Sequence, residues 1–130
     1  MSKHAVAILL ASPEGIPLLR GVKKPPPIYW KLPGGRSESE ETAEDCALRE
    51  IEKELGVILS MDQLIIIHWE YRGNHAMTTF LASLSTLPVL KQFGDEGEEI
   101  RVFTPGEILK LDDFFPNHRK VILEILKAIA

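Results

Sequence analysis

Apolar positions along the chain change their spacing several times, and each change predicts an element. "AVAILLA" (5–11) is a continuous run compatible with a β-strand. "IPLLRGVKK" follows it after the turn "SPEG", so the two are read as a hairpin. "KPPPIYWKLPGG" predicts irregular chain, because three successive prolines lack amide donors and favour an extended shape. From Thr42 to Leu55 the spacing turns helical: Thr42 or Ser39 is placed to cap it, Glu44 and Asp45 suit its positive end, and Gly56 stops it. "QLIIIHWEYRG" and "NHAMTTFLASLS" then predict a pair of strands, and "EIRVFT" a shorter one. "PGEILKL" opens with proline and predicts a short helix. "PNHRKVILEILKAIA" predicts an amphipathic helix with Val121, Ile122, Ile125, Leu126 and Ile129 at helical spacing. Strands mixed with a few helices, without repeats or linkers, predict one layered α/β domain over residues 1–130.

The size and composition agree with that reading and narrow the partners. A chain of 130 residues, 45% apolar and 26% charged, can bury a core without staples. Its net charge of −4 argues against a polymeric nucleic acid partner, which calls for a basic face. The lone Cys46 makes no internal disulfide and no zinc-site spacing, and is read as a small, partly buried helix residue. "KHAVAILLAS" has the look of a short signal segment, but the turn and second apolar run behind it favour a first strand. No run is long enough to span a bilayer, and a cytoplasmic protein is expected.

The helix from Thr42 to Leu55 carries the chemistry. At about 100° per residue, Glu50 and Glu54 fall about 40° apart on one face, beside an apolar face of Leu48, Ile51 and Leu55. Ala43 and Ala47 point in nearly the same direction as the pair, so they are read as leaving space above the carboxylates. Two like charges held together repel unless a cation sits between them, and hard oxygens suit magnesium or manganese. A solvated face on which charges simply occur accounts for the bare spacing better.

The stretch around it changes that balance. "WKLPGGRSESEETAEDCALREIEKELGV" resembles the Nudix box, G-x5-E-x7-R-E-U-x-E-E-x-G-U with U aliphatic, through Gly35, Glu41, Arg49, Glu50, Ile51, Glu54, Gly56 and Val57. One specified position differs: Lys53 stands where the pattern has glutamate. "WKLPGG" and "FFPNHRKVILE" also resemble segments of small Nudix proteins, so the likeness covers essentially the whole chain. It implies an α/β/α sandwich around a mixed β-sheet. It also implies hydrolysis of a nucleoside diphosphate linked to another group, with Mg2+ or Mn2+ offsetting charge at the attacked phosphorus.

The resemblance further implies roles for residues at matching positions. Glu50, Glu54 and the Gly34 carbonyl would hold metal, with Gly35, Glu41 and Arg49 in support and Arg49 orienting a glutamate by ion pairing. Another carboxylate is expected from "GDEGEEIRV", where Glu98 or Glu99 is preferred to Glu96 as ligand or general base. Arg20, Lys23 and Arg36 are candidate phosphate contacts, each equally an ordinary exposed cation. Tyr29 is a candidate for stacking on a base, Trp30 either that or core, His118 a base contact, and Asn117 either a base contact or a helix cap.

Lys53 leaves one ligand missing, and Glu52, about 200° round the helix from Glu50, cannot replace it. Three readings stay open: the ammonium substitutes in part for a metal, its stem turns to solvent, or catalysis is lost and the fold binds a nucleotide without cutting it. The favoured expectation is a MutT-like nucleoside triphosphate pyrophosphohydrolase releasing a monophosphate, as a monomer or homodimer. ADP-ribose and dinucleoside polyphosphates are alternative substrates, and a silent nucleotide-binding or regulatory module is the alternative function.

Overall fold

The computed structural model describes residues 3–23 and 25–130. Its first half holds β1 (Lys3–Ala11), β2 (Ile16–Arg20), β3 (Trp30–Lys31), β4 (Gly34–Arg36) and helix α1 (Ala43–Leu55). After a 3₁₀ turn at Met61–Gln63 come β5 (Ile65–Arg72), β6 (His75–Ser83), β7 (Glu99–Phe103), α2 (Pro105–Lys110) and α3 (Pro116–Ile129).

The strands form two sheets. One has the order β4-β1-β6-β5 and is mixed, since β1 runs parallel to β6 while its other pairs are antiparallel. The other is antiparallel, in the order β3-β2-β7. The predicted hairpin is therefore corrected. The turn closes with a single bridge between Ser12 and Gly15, and β1 and β2 then part into different sheets. β6 takes one edge of β1 along its whole length and β4 takes the other at Ala5–Ala7, while β2 pairs with β3 and β7 instead.

The apolar run of β1 serves two cores. Val6, Ile8 and Leu10 pack with Cys46, Ala47, Ile51 and Leu55 of α1, while Ala7 and Leu9 pack on the opposite face with Ile108, Ile122 and Leu126 of α2 and α3. Helix, sheets and helices thus stack as the expected α/β/α sandwich. Each fully buried Leu or Ile in these layers contributes about 1.5–3 kcal/mol. At the end of α3, Ile129 is exposed rather than packed as its spacing predicts.

Local chemistry sets the ends of α1. Thr42, not Ser39, is its N-cap, accepting the Asp45 N–H at 3.0 Å. Gly56 ends it in the left-handed region, φ 75°. α3 begins differently, with Phe115 as its cap residue and Pro116 in the first turn, so the capping reading of exposed Asn117 is corrected. The Arg119 guanidinium donates to the Ile108, Leu109 and Leu111 carbonyls and ties α3 to the end of α2. Among the described residues, no helix is long and apolar enough to cross a membrane.

Candidate functional site

The site grows from the place where β4 passes α1. Glu50 and Glu54 are both buried on the helix face, at 6% and 7% exposure, and the backbone of β4 lies against them. The Gly34 N–H donates to Glu54 Oε1 at 2.9 Å. A Cβ on Gly35 would sit 2.6 Å from the Glu50 carboxyl carbon, so glycine is what lets the chain approach. A Cβ on Gly34 would meet the Val6 carbonyl oxygen at 2.0 Å. The room beside the carboxylates therefore comes from these two glycines. The reading of Ala43 and Ala47 as spacers is corrected, because Ala47 is fully buried in the α1 core and Ala43 packs against it.

One glutamate of the neighbourhood is held firmly as an anion. Arg49 Nε and Nη2 donate to the two oxygens of Glu41 at 2.7 and 2.9 Å, while Nη1 donates to Glu50 Oε1 at 2.7 Å and Nη2 also reaches the Arg36 carbonyl at 3.0 Å. These bonds from Arg49 push the Glu41 carboxyl down to about 2 and raise the guanidinium further above its ordinary value. Cys46 lies beneath this pair, with its thiol pushed up to about 12, chiefly by burial.

Glu54 is in the opposite condition. Burial pushes its carboxyl up to about 7, the charges of Glu50 and Glu98 add to the rise, and the Gly34 N–H and Lys31 counter it in part. Glu98 is thus the loop carboxylate that Glu54 feels. Its Oε1 accepts the Glu96 N–H at 2.7 Å within the turn. Glu99 is turned away by strand alternation: its neighbour Ile100 packs on the α1 core, and Glu99 itself pairs with Arg20 at 2.8 Å.

Arg20 is engaged by that pairing, lies 3.6 Å from Asp113, and stacks over Trp30 at 4.4 Å. Trp30 is core, packed edge-on against Phe103 at 5.0 Å. Neither side chain lines the cleft beside β4.

That cleft has a volume of about 450 Å³, and Gly34, Gly35, Arg36, Lys31, Tyr29 and His118 are on its walls. Phe115 completes an aromatic end, 5.9 Å from Tyr29 and 4.8 Å from the His118 ring. His118 Nδ1 accepts the Leu32 N–H at 3.1 Å, and burial pushes the imidazole down to about 4. The ring is therefore neutral near pH 7, with its hydrogen on Nε2. A second cleft continues past Gly21 and Lys31 to Lys23, Asp95, Glu96 and Glu98.

Lys53 stays exposed, with its ammonium between two carboxylates. Its Nζ lies 3.9 Å from Glu50 Oε1 and 3.8 Å from Asp95 Oδ2, with the side chain 45% exposed. Among the described residues, no group of three or more His, Cys, Asp or Glu side chains is gathered closely enough to hold a metal ion. Sequence reasoning missed Lys31, Phe115 and Asp95. Lys31 and Phe115 adjoin the singled-out Trp30 and "FFPNH" segments, whereas nothing in the spacing of Asp95 ties it to Lys53.

Comparison with known proteins defines the class. The NUDIX domain model matches residues 1–125, so the chain belongs to the Nudix hydrolase family. Solved structures agree in fold. MutT from Aliivibrio salmonicida and Vibrio cholerae gives a TM-score of 0.79 at 18% identity, over 97% of each chain. A MutT/nudix family protein from Enterococcus faecalis gives 0.67 at 25% identity, over 79% of this chain and 44% of that one. A bifunctional NMN adenylyltransferase/ADP ribose pyrophosphatase from Francisella tularensis, complexed with AMP and a manganese ion, gives 0.75 at 21% identity. That match covers this whole chain and 42% of the other. A search of curated proteins found no match.

Proposed function

We propose that this chain is a single-domain, metal-dependent pyrophosphohydrolase that cleaves a nucleoside diphosphate linked to another group, with nucleoside triphosphates as its first substrates. The observation that carries the proposal is the pair of buried carboxylates, Glu50 and Glu54, touched by the two glycines that line the aromatic-ended cleft.

Two buried carboxylates, Glu50 and Glu54, each offer one oxygen to a divalent cation. Glu50 Oε1 is taken by Arg49 and Glu54 Oε1 by Gly34, which leaves Oε2 of each carboxylate without a protein hydrogen bond among the described residues. Since no buried side-chain polar atom lacks a partner among those residues, both Oε2 atoms reach the cleft or solvent. Glu50, Glu54 and the Gly34 carbonyl would hold Mg2+ or Mn2+, which offsets charge on the phosphates. Glu98, which is not gathered closely with the two carboxylates, would be the further ligand with the ion bound. Glu98, not Glu99, serves as the loop carboxylate. Arg49 fixes the rotamer of Glu50. Lys31 and Arg36 accompany the phosphates, and Tyr29 and Phe115 pack on the base while His118 Nε2–H donates to an acceptor on it. In the reaction water adds to one phosphorus, the bridging oxygen leaves with the other, and a nucleoside monophosphate is released.

Product release should be assayed on nucleoside triphosphates, ADP-ribose and dinucleoside polyphosphates while magnesium and manganese are titrated. Metal-dependent release of monophosphate from one of them is expected. A second reading, a silent nucleotide-binding module, draws support from Lys53, whose ammonium lies where the Nudix box has a carboxylate. It gains if magnesium with nucleotide raises the melting temperature and no product forms. The same reading of the chain makes it cytoplasmic, acting as a monomer or homodimer.

A further inference from the structure

The segment from Lys91 to Glu98 returns to the last turn of α1 and is fastened there at three points, two of them on Lys53. The Lys91 N–H donates to the Leu55 carbonyl at 2.9 Å, and Lys91 Nζ donates to the Lys53 carbonyl at 2.8 Å. The third point is the Lys53 ammonium, 3.8 Å from Asp95 and 3.9 Å from Glu50. Beyond it the chain closes on itself. The Gly94 N–H donates to the Glu98 carbonyl at 2.9 Å, the Gly97 N–H to the Gly94 carbonyl at 3.0 Å, and the Glu96 N–H to the Glu98 carboxylate at 2.7 Å.

This turn brings Asp95 to Lys53 and Glu98 within electrostatic reach of Glu54, on a helix face that already holds Glu50. Carboxylates arriving from two elements repel each other unless a cation lies between them. Lys91 spends its ammonium on a carbonyl, and Lys31, whose charge also acts on Glu54, lines the second cleft with Lys23, Asp95, Glu96 and Glu98. Among the described residues, Lys53 is the lysine whose ammonium lies within ion-pair distance of both an α1 carboxylate, Glu50, and a turn carboxylate, Asp95.

We infer that Lys53 is a positioning residue: through Asp95 it latches the Gly94–Glu98 turn to α1 and so keeps Glu98 beside Glu54. The residue that departs from the Nudix box thereby holds a carboxylate in place instead of supplying one. A glutamate at the same position would face both Asp95 and Glu50 and push the turn away. This inference rests on the hydrolase reading for its catalytic consequence, but the latch itself is readable without turnover.

The test combines hydrogen exchange at the Gly94, Glu96 and Gly97 amides with steady-state kinetics. The proteins compared are the natural one, Lys53→Met, Asp95→Asn, the double variant and Lys53→Arg. A half-exposed ion pair predicts exchange about two- to fivefold faster in either single variant. The double variant is expected to be no faster than the singles, and Lys53→Arg to stay near the natural rate. With the turn released, kcat should fall while KM stays nearly constant. Unchanged exchange in Lys53→Met, or effects that add in the double variant, would overturn the latch. Faster exchange in a protein that hydrolyses nothing keeps the latch and defeats the hydrolase reading, whereas turnover with unaltered exchange does the reverse.

Discussion

Glu41 and Glu54 stand near the same helix and are the same residue, yet the protein treats them oppositely. Glu41 is clasped by Nε and Nη2 of Arg49 and held down to about 2, whereas Glu54 is buried among other carboxylates and pushed up to about 7. The difference separates scaffolding from chemistry. A glutamate with both oxygens taken by one guanidinium has neither free for a ligand. One that has been desolvated without a full partner is stabilised when a cation arrives.

The largest expected effect breaks this comparison at the costly end. Glu54→Gln should bring turnover below detection at any magnesium concentration, measured as monophosphate release. Retained turnover would mean that Glu54 is only a buried surface-edge charge. Next comes Arg49→Lys, which keeps the charge but loses the two-pronged grip on Glu41 and the contact with Glu50. A fall in kcat of about 10- to 100-fold is expected, as for loss of a residue that orients a metal ligand. A change under about twofold would show that Glu50 needs no such support.

Smaller effects sharpen the comparison through stability. The folded-state pKa of Glu54 lies above its unfolded value, so its contribution is harmless below about 4.5 and grows unfavourable as pH rises through about 7. Glu54→Gln should therefore melt higher than the natural protein at pH 8 in chelator, with the gap closing at pH 4. Equal melting curves at both pH values would contradict the assigned burial cost. Glu41 behaves in the opposite sense: its lowered pKa gives stability above about 4.5 that is lost as pH falls toward about 2. The melting temperature of Glu41→Gln should accordingly converge on that of the natural protein in strong acid, the smallest of these effects because the pair is near the surface.

Much of this arrangement is legible in the sequence, for physical reasons that differ by element. The bounds of α1 follow from Thr42 and Gly56, because capping is local chemistry within a few residues. The facing of Glu50 and Glu54 follows from helical spacing alone, and their meaning from the surrounding box. Strand partnership is not legible in the same way. "SPEG" encodes a tight turn, but whether β1 and β2 pair depends on distant strands, and here β2 has β3 and β7 as its partners. The choice between Glu98 and Glu99 likewise needed the register of β7, where one step along the strand exchanges the α1 face for the Arg20 and Trp30 face. The Lys53–Asp95 contact joins residues far apart in sequence, and no local pattern announces it.

The two glycines of β4 also divide what evolution or a library can do at this corner. A side chain at position 34 would run into backbone, the Val6 carbonyl at 2.0 Å, which cannot retreat without unpairing the sheet. For a side chain at 35 the nearest atoms would instead be those of the Glu50 carboxyl, the end of a side chain rather than backbone. A randomised pool screened for soluble, folded protein should therefore discard variants at 34 and keep many at 35. The latter would be removed only by a screen for catalysis. Adjacent, identical residues would thus be filtered by two different selections, one reading the sheet and the other reading the carboxylate.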